Sequence, residues 1–276
     1  MRPTTAEKRA AFRALHGQGC FAIPNPWDVG SALYLQGLGF QALASTSAGF
    51  AWSRGLADGV LQRDAILAHL RELAAATDLP LNADFEDGFG DDPQGVADNV
   101  RLAVDTGVAG LSIEDGTGDA ANPLYPVEVA VARLRAARQA IDATGSGVLL
   151  TGRAENFFIG RPDLADTLIR LKAYAEAGAD CLYAPGIHTR EQIAAVVAAV
   201  APRPVNLLVG SAGELSMQDI AALGVRRVSV GGGLARTAWG GFMKAAKALA
   251  EEGSFGGFAG SAPGGELNQL FQGRSD

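Results

Sequence analysis

Short apolar runs alternate with longer amphipathic ones along nearly the whole chain, and few folds accept that alternation. The apolar runs at 20–23, 41–44, 80–83, 110–113, 148–151, 180–183, 205–209 and 227–230 have the length and composition of buried strands. Between them, apolar residues recur at helical spacing over 28–38, 62–76, 93–106, 127–144, 163–177, 189–201, 216–223 and 234–251. In the helix at 127–144 the reading places Arg133, Arg135 and Arg138 on the solvent side. Eight strand–helix units in succession predict an α/β fold, a (β/α)8 TIM barrel, as one domain over 1–276. A doubly wound open sheet is the runner-up, although it would not normally repeat so regularly. Thr4 and Glu7 form a capping-box pattern that predicts an extra N-terminal helix over 5–16. Beyond Gly253 the chain is glycine-rich with one amphipathic piece at 266–271, so a C-terminal extension follows the barrel.

Charge and cysteine usage narrow the partners. A net charge of −7 over 276 residues, with no basic block, argues against nucleic acid and leaves a small substrate as the expected partner. The N-terminal stretch lacks the apolar core of a signal peptide, and the most apolar run, 193–201, is too short for a bilayer. Cys20 and Cys181 lie apart inside apolar runs, as free thiols in a reducing compartment do. The expectation is a cytoplasmic protein with no membrane partner.

In such a barrel the chemistry sits where strands end. Asn82-Ala83-Asp84-Phe85-Glu86-Asp87-Gly88-Phe89-Gly90 and Ser112-Ile113-Glu114-Asp115-Gly116 each place acidic groups at that point. Asp84, Glu86, Asp87 and Glu114 crowded at one rim resist joint ionisation, so they call for a cation or shared protons. Oxygen ligands without a Cys/His cluster suit Mg²⁺ or Mn²⁺. The same stretches also suit ordinary Asp/Glu-Gly turns. Arg153, just past the fifth strand, could grip a substrate carboxylate or pair with Glu155 or Asp84. The amides of Ser47, Ala48 and Gly49, in the loop 45–55, could form an anion nest. His188 is the one histidine at a strand end, and capping of the next helix explains it as well as a catalytic role. Gly210 and Gly231-Gly232-Gly233 fall where many barrels bind phosphate, and close packing accounts for them equally.

Several stretches together resemble the isocitrate lyase/phosphoenolpyruvate mutase superfamily, and the likeness covers nearly the whole chain. Ile23-Pro24-Asn25-Pro26-Trp27-Asp28-Val29-Gly30-Ser31-Ala32 is similar to its first strand–helix turn, and Gly39-Phe40-Gln41-Ala42-Leu43 precedes its substrate loop. Asn82 to Gly90 resembles its Asp-Ala-Asp-Thr-Gly-(aromatic)-Gly metal loop, Ile113-Glu114-Asp115 its Ile-Glu-Asp, and Gly152-Arg153-Ala154-Glu155 its Ala-Arg-Thr-Glu/Asp. The resemblance implies Mg²⁺ held, partly through water, by Asp84, Glu86 and Glu114, with Asp58 supporting the metal waters. It implies that Thr46, Ser47 and Ala48 bind the carboxylate and oxyanion of a small 2-oxo acid or dicarboxylate while Arg153 holds the substrate. The candidate catalytic residues are then Asp58, Glu114 and Arg153, with His188 as a further candidate for substrate binding. It also implies a homodimer or homotetramer with an exchanged terminal helix. Two departures bear on the reaction. Glu86 stands where the superfamily usually has Asp, and residues 116–126 carry none of the Lys, Cys or His of the lyases' Lys-(Lys/Arg)-Cys-Gly-His loop. The resulting expectation is a Mg²⁺-dependent carbon–carbon lyase or oxaloacetate-type decarboxylase working through an enolate. The alternatives are carbon–phosphorus chemistry of the phosphoenolpyruvate mutase kind and a catalytically weak 2-oxo acid binder.

Overall fold

The computed structural model describes residues 2–272. In chain order the elements are α1 (Thr5–Leu15), β1 (Phe21–Ile23), α2 (Val29–Gly37), β2 (Leu43–Ala44), α3 (Ser47–Ser53), α4 (Arg63–Ala76), β3 (Leu81–Asp84), α5 (Pro93–Asp105) and β4 (Gly110–Glu114). There follow α6 (Val127–Ala143), β5 (Leu149–Arg153), α7 (Leu164–Glu176), β6 (Cys181–Tyr183), α8 (Arg190–Val200), β7 (Val205–Leu208), α9 (Met217–Ala222), β8 (Arg227–Ser229), α10 (Gly233–Glu252), a short 3-10 turn (Gly256–Gly260) and α11 (Gly264–Phe271). The eight strands are parallel in the order β1-β8-β7-β6-β5-β4-β3-β2. Between β1 and β2 there is no ladder, but the Ala44 amide donates to the Pro24 carbonyl at 3.0 Å and carries the sheet round to near closure. The expected (β/α)8 barrel is present, and so are the capping boxes at Thr4/Glu7 and Thr189/Gln192.

Strand alternation sorts the side chains. Leu111, Ile113, Leu150, Leu182, Leu207 and Val228 point outward and form the main core with the helices. The inward residues Phe21, Ile23, Ala42, Ala44 and Leu149 form a separate apolar cluster, closed from below by Phe12 of α1. The extra N-terminal helix is therefore a plug at the N-terminal mouth. Gly110 makes room for it: a Cβ there would stand 2.6 Å from the Phe12 ring and 2.7 Å from Asn82 Oδ1.

Three readings need correction. The loop at 45–55 contains the short helix α3, because Thr46 caps it by accepting from the Gly49 amide at 3.2 Å. Arg133 is not on the wet side of α6. It is buried, and it shares the stripe of Ala130, Leu134, Ala137 and Ile141 because 130, 133, 134, 137 and 141 lie on one helical face. Arg138 is also largely covered, pairing with Asp142 at 2.6 Å and Asp180 at 2.9 Å.

The last barrel helix behaves unlike the others. Only Ala235 of α10 is buried, whereas Trp239, Phe242 and Met243 stand exposed. An apolar groove lined by Ala22, Pro24, Leu35, Ile220, Val228 and Val230 lies open over β1 and β8, where an eighth helix would pack in a symmetric barrel. Among the described residues no helix is long and apolar enough to cross a membrane.

Candidate active site

At the C-terminal ends of the strands the barrel opens into a cavity of about 500 Å³. Its wall brings together Thr46, Ser47, Ala48, Asp58, Asp84, Glu86, Glu114 and Arg153, all singled out in the sequence. His188 is not in the wall. Its ring Nδ1 lies 3.1 Å from the Gly186 carbonyl and its amide donates to Gln192 at 3.0 Å, so its visible role is at the start of α8. Asp28 is likewise taken up in capping α2, where it accepts from the Ser31 amide at 2.7 Å.

The acidic loop after β3 is held from several sides. Buried Asn99 of α5 donates to the carbonyls of Gly88 at 3.0 Å and Phe89 at 2.8 Å. Arg133 reaches the carboxylate of Asp87 at 2.7 Å, and the Tyr125 hydroxyl donates to the same oxygen at 3.0 Å. Asp87 is therefore turned away from the cavity, leaving Asp84 and Glu86 to face it. Gly88 takes a positive φ of 88°, and so, less comfortably, does Glu86 at 45°. The Glu114 amide donates to the Glu86 carbonyl at 2.9 Å, which docks the two strand ends together.

Within the cavity Asp84 accepts from both the amide and the hydroxyl of Ser47 at 3.0 Å. One of the three amides of the expected anion nest thus serves a carboxylate of the protein itself, and a second, that of Gly49, is taken by the Thr46 side chain. Arg153 touches three acids: Asp84 at 3.3 Å, Glu114 at 2.9 Å, and Glu155 through both its Nε and, at 3.2 Å, its Nη2. Five carboxylates (Asp58, Asp84, Glu86, Glu114, Glu155) line the wall against three guanidinium groups (Arg153, Arg227, Arg236). The excess has a direct consequence. Burial, reinforced by the charges of Asp84, Asp58 and Asp87, pushes the Glu86 carboxyl up to about 8. Burial also raises Glu114, against the pull of Arg153, and raises Asp58, where Asp84 adds to it. Glu86 Oε1 is buried with no hydrogen-bond partner.

An orphaned carboxylate oxygen beside two further acids, with only oxygen donors to hand, fits a hard divalent cation. Among the described residues no three His, Cys, Asp or Glu side chains stand close enough together to hold a metal ion as they are placed. Asp84, Glu86 and Glu114 are the groups that would hold it.

Other side chains hold the site from behind and from below. Asp115 is buried, accepting from Arg170 at 3.0 Å, from the Tyr174 hydroxyl at 2.5 Å and from the Glu155 amide at 2.8 Å. It ties the ends of β4 and β5 to α7. Deeper in the lumen, Arg227 is served by neutral partners: Asn206 at 2.8 Å, Thr151 at 3.1 Å, and Asn82 and His16 at 3.4 Å. Alternation could have found these groups, since Thr151, Tyr183, Asn206 and Arg227 share the inward phase of their strands with Arg153.

A known family model, described as phosphoenolpyruvate phosphomutase, matches residues 12–250. The chain belongs to the phosphoenolpyruvate phosphomutase family. This family sits within the phosphoenolpyruvate mutase/isocitrate lyase superfamily, as the resemblance implied. A Burkholderia cenocepacia J2315 structure, provisionally described as a lyase/mutase, is 50% identical with a TM-score of 0.94, covering 97% of each chain. Oxaloacetate decarboxylase of Rhodopseudomonas palustris (strain BisB18) is 30% identical over 83% of this chain and 80% of its own. A structure of oxaloacetate acetylhydrolase with its product oxalate has a TM-score of 0.85 at 26% identity, covering 98% and 95%. Phosphomutase-family relatives thus include proteins that act on small acids, and this chain is a member of an enzyme superfamily of lyases and mutases.

Proposed function

We propose that the protein is a Mg²⁺-dependent enzyme acting on a small 2-oxo acid through its enolate, as a carbon–carbon lyase or oxaloacetate-type decarboxylase. The unpartnered buried oxygen of Glu86, set beside Asp84 and Glu114, carries this reading. A divalent ion bound there would polarise the substrate carbonyl and stabilise negative charge as it develops. The remaining work falls to the chain. Asp84 is oriented by Ser47 and Arg153, so its lone pairs point in fixed directions before any substrate arrives. Ala48, and Thr46 whose side chain caps α3, line the cavity beside it and would receive the substrate's carboxylate and oxyanion. Arg153, now paired with Asp84, Glu114 and Glu155, would share its donors with a substrate carboxylate.

The loop 116–126 has no side chain suited to the lyases' cysteine chemistry, and Asn122 is exposed, bonded to Asp119 at 3.2 Å. Decarboxylation needs no such group to break its bond, which favours it over methylisocitrate cleavage. Turnover of oxaloacetate, methylisocitrate and phosphonopyruvate with Mg²⁺ and with EDTA tests the reading. Turnover of phosphonopyruvate alone moves the protein to carbon–phosphorus chemistry. Metal-dependent binding of oxalate in a calorimeter, with no turnover of any of the three, makes it a binder.

We further infer a homo-oligomer in which the exposed apolar face of α10 fills the open groove over β1 and β8 of a second copy. Sedimentation should report a dimer or tetramer, and Phe242→Asp with Met243→Asp should dissociate it; a wild-type monomer removes the inference.

A further inference from the structure

One lumen residue stands out once the acids are assigned. In register around the barrel, Glu114 pairs with Arg153, Arg153 with Tyr183, Tyr183 with Asn206 and Asn206 with Arg227. These five side chains line the cavity along a row that slants from the rim at Glu114 down to Arg227, and Tyr183 stands two strands from Glu114, about 10 Å along the sheet at ordinary strand spacing. The Arg153 guanidinium lies over the Tyr183 ring, 5.3 Å from its centroid. Ser229, on β8 and also in the wall, accepts from Asn206 at 2.9 Å, which leaves its own hydroxyl hydrogen uncommitted. An enolate must take a proton on carbon to become product; the cavity wall contains no Lys, His or Cys, and its carboxyls are taken up by the proposed cation site (Asp84, Glu86, Glu114), by Arg153 (Glu155) or by Ser47 and Gly59 (Asp58). Guanidinium groups do not release protons near neutral pH, and aliphatic hydroxyls are weaker acids than a phenol.

We propose that Tyr183 is the catalytic acid that delivers this proton. The proposal rests on the enolate reading above. In decarboxylation the bond to the departing carboxylate breaks and its electron pair stays behind as the enolate. The enolate carbon then forms a C–H bond with the phenolic hydrogen, and the O–H electrons remain on the Tyr183 oxygen. The phenolate, facing Arg153, takes a proton back from water at the open mouth. Overall, one oxaloacetate dianion and one proton give one pyruvate and one carbon dioxide. Burial pushes the Tyr183 phenol up to about 12, Arg153 pulling the other way, so it stays protonated and ready to donate.

Reversal of the same step exchanges the methyl protons of pyruvate with solvent, which gives a test independent of the natural substrate. Exchange in deuterium oxide with Mg²⁺ is followed by NMR, and Mg²⁺-dependent oxalate binding by calorimetry. Tyr183→Phe should slow exchange at least about a hundredfold while oxalate binds within about threefold of wild type. Ser229→Ala should slow exchange by a smaller factor, and it serves as the test if Tyr183→Phe melts too early to assay. Exchange at the wild-type rate in Tyr183→Phe, or in Ser229→Ala where that variant stands in, overturns the assignment and leaves the enolate reading intact. Oxalate binding without exchange in the wild-type protein also overturns it. Absence of both in wild type overturns the enolate reading itself.

Discussion

The two ends of the barrel lumen satisfy charge in opposite ways. At the N-terminal end, beneath Arg227, Phe12 closes an apolar floor, and the guanidinium is met by amides, a hydroxyl and a neutral imidazole. At the C-terminal end the acids outnumber the cations, and one oxygen of Glu86 meets nothing. A polar group with all its partners in place contributes to stability and has no capacity for a ligand. An orphaned one does the reverse. The contrast therefore marks the rim as the end built to receive something, and each prediction below sets one end against the other.

The largest effect is expected at the rim. Asp84→Ala should abolish Mg²⁺-dependent ligand binding and lower turnover on the order of a thousandfold or more. Thermal stability should change far less, because Asp84 borders an open cavity rather than the packed core. Unchanged metal-dependent binding would remove the assignment of the rim as a metal site.

Behind the rim, Arg170→Met should leave Asp115 buried without its cation and destabilise the fold by about 3–5 kcal/mol. Denaturant unfolding measures it. A loss below about 1 kcal/mol would mean that the pair is no more than a surface-type bridge. At the floor, Arg227→Met should cost about 1–3 kcal/mol by leaving the Asn206 and Asn82 carbonyls unpaired. Oxalate binding should hold within a few fold. A floor variant that loses ligand binding while keeping stability would erase the distinction between the two ends.

How much of this was legible in the sequence follows the range of each interaction. The barrel was, because strand–helix alternation and the Thr4, Asp28 and Thr189 caps are local signals. The acids that line the cavity were, because strand ends converge in this fold. Asp87 was not separable from Glu86: a long-range partner, Arg133, decides which of two neighbouring carboxylates turns outward. Arg133 and Arg170 both sit in the apolar stripes of their helices, so phase alone placed them inside, yet their charge argued for the surface. Tyr183 and Arg227 were hidden by treating strands as uniformly buried, whereas a barrel strand has one face on the core and one in a lumen that can be polar.

The finest test uses protons, because the two ends should respond to pH with opposite sign. Glu86 is pushed up to about 8 in the folded, metal-free protein from an ordinary value of 4.5. The native state then holds a proton that the unfolded chain has already released, so this contribution is complete below 4.5 and is lost as pH rises through 8. Glu114 and Asp58, also raised, add in the same direction. His16, beside Arg227, is pushed down to about 3 from 6.5 by burial and by that guanidinium. There the unfolded chain takes the proton first, so the floor's contribution is complete above 6.5 and is lost as pH falls towards 3. Melting curves in EDTA should therefore show Glu86→Gln flattening the decline between pH 5 and 8 and leaving the acid limb alone. His16→Phe should do the converse. Saturating Mg²⁺ should raise the melting temperature more at pH 8 than at pH 5, since binding displaces the proton held at the rim. An equal Mg²⁺ increment at both pH values would mean that the protonated acids and the metal-binding acids are different groups.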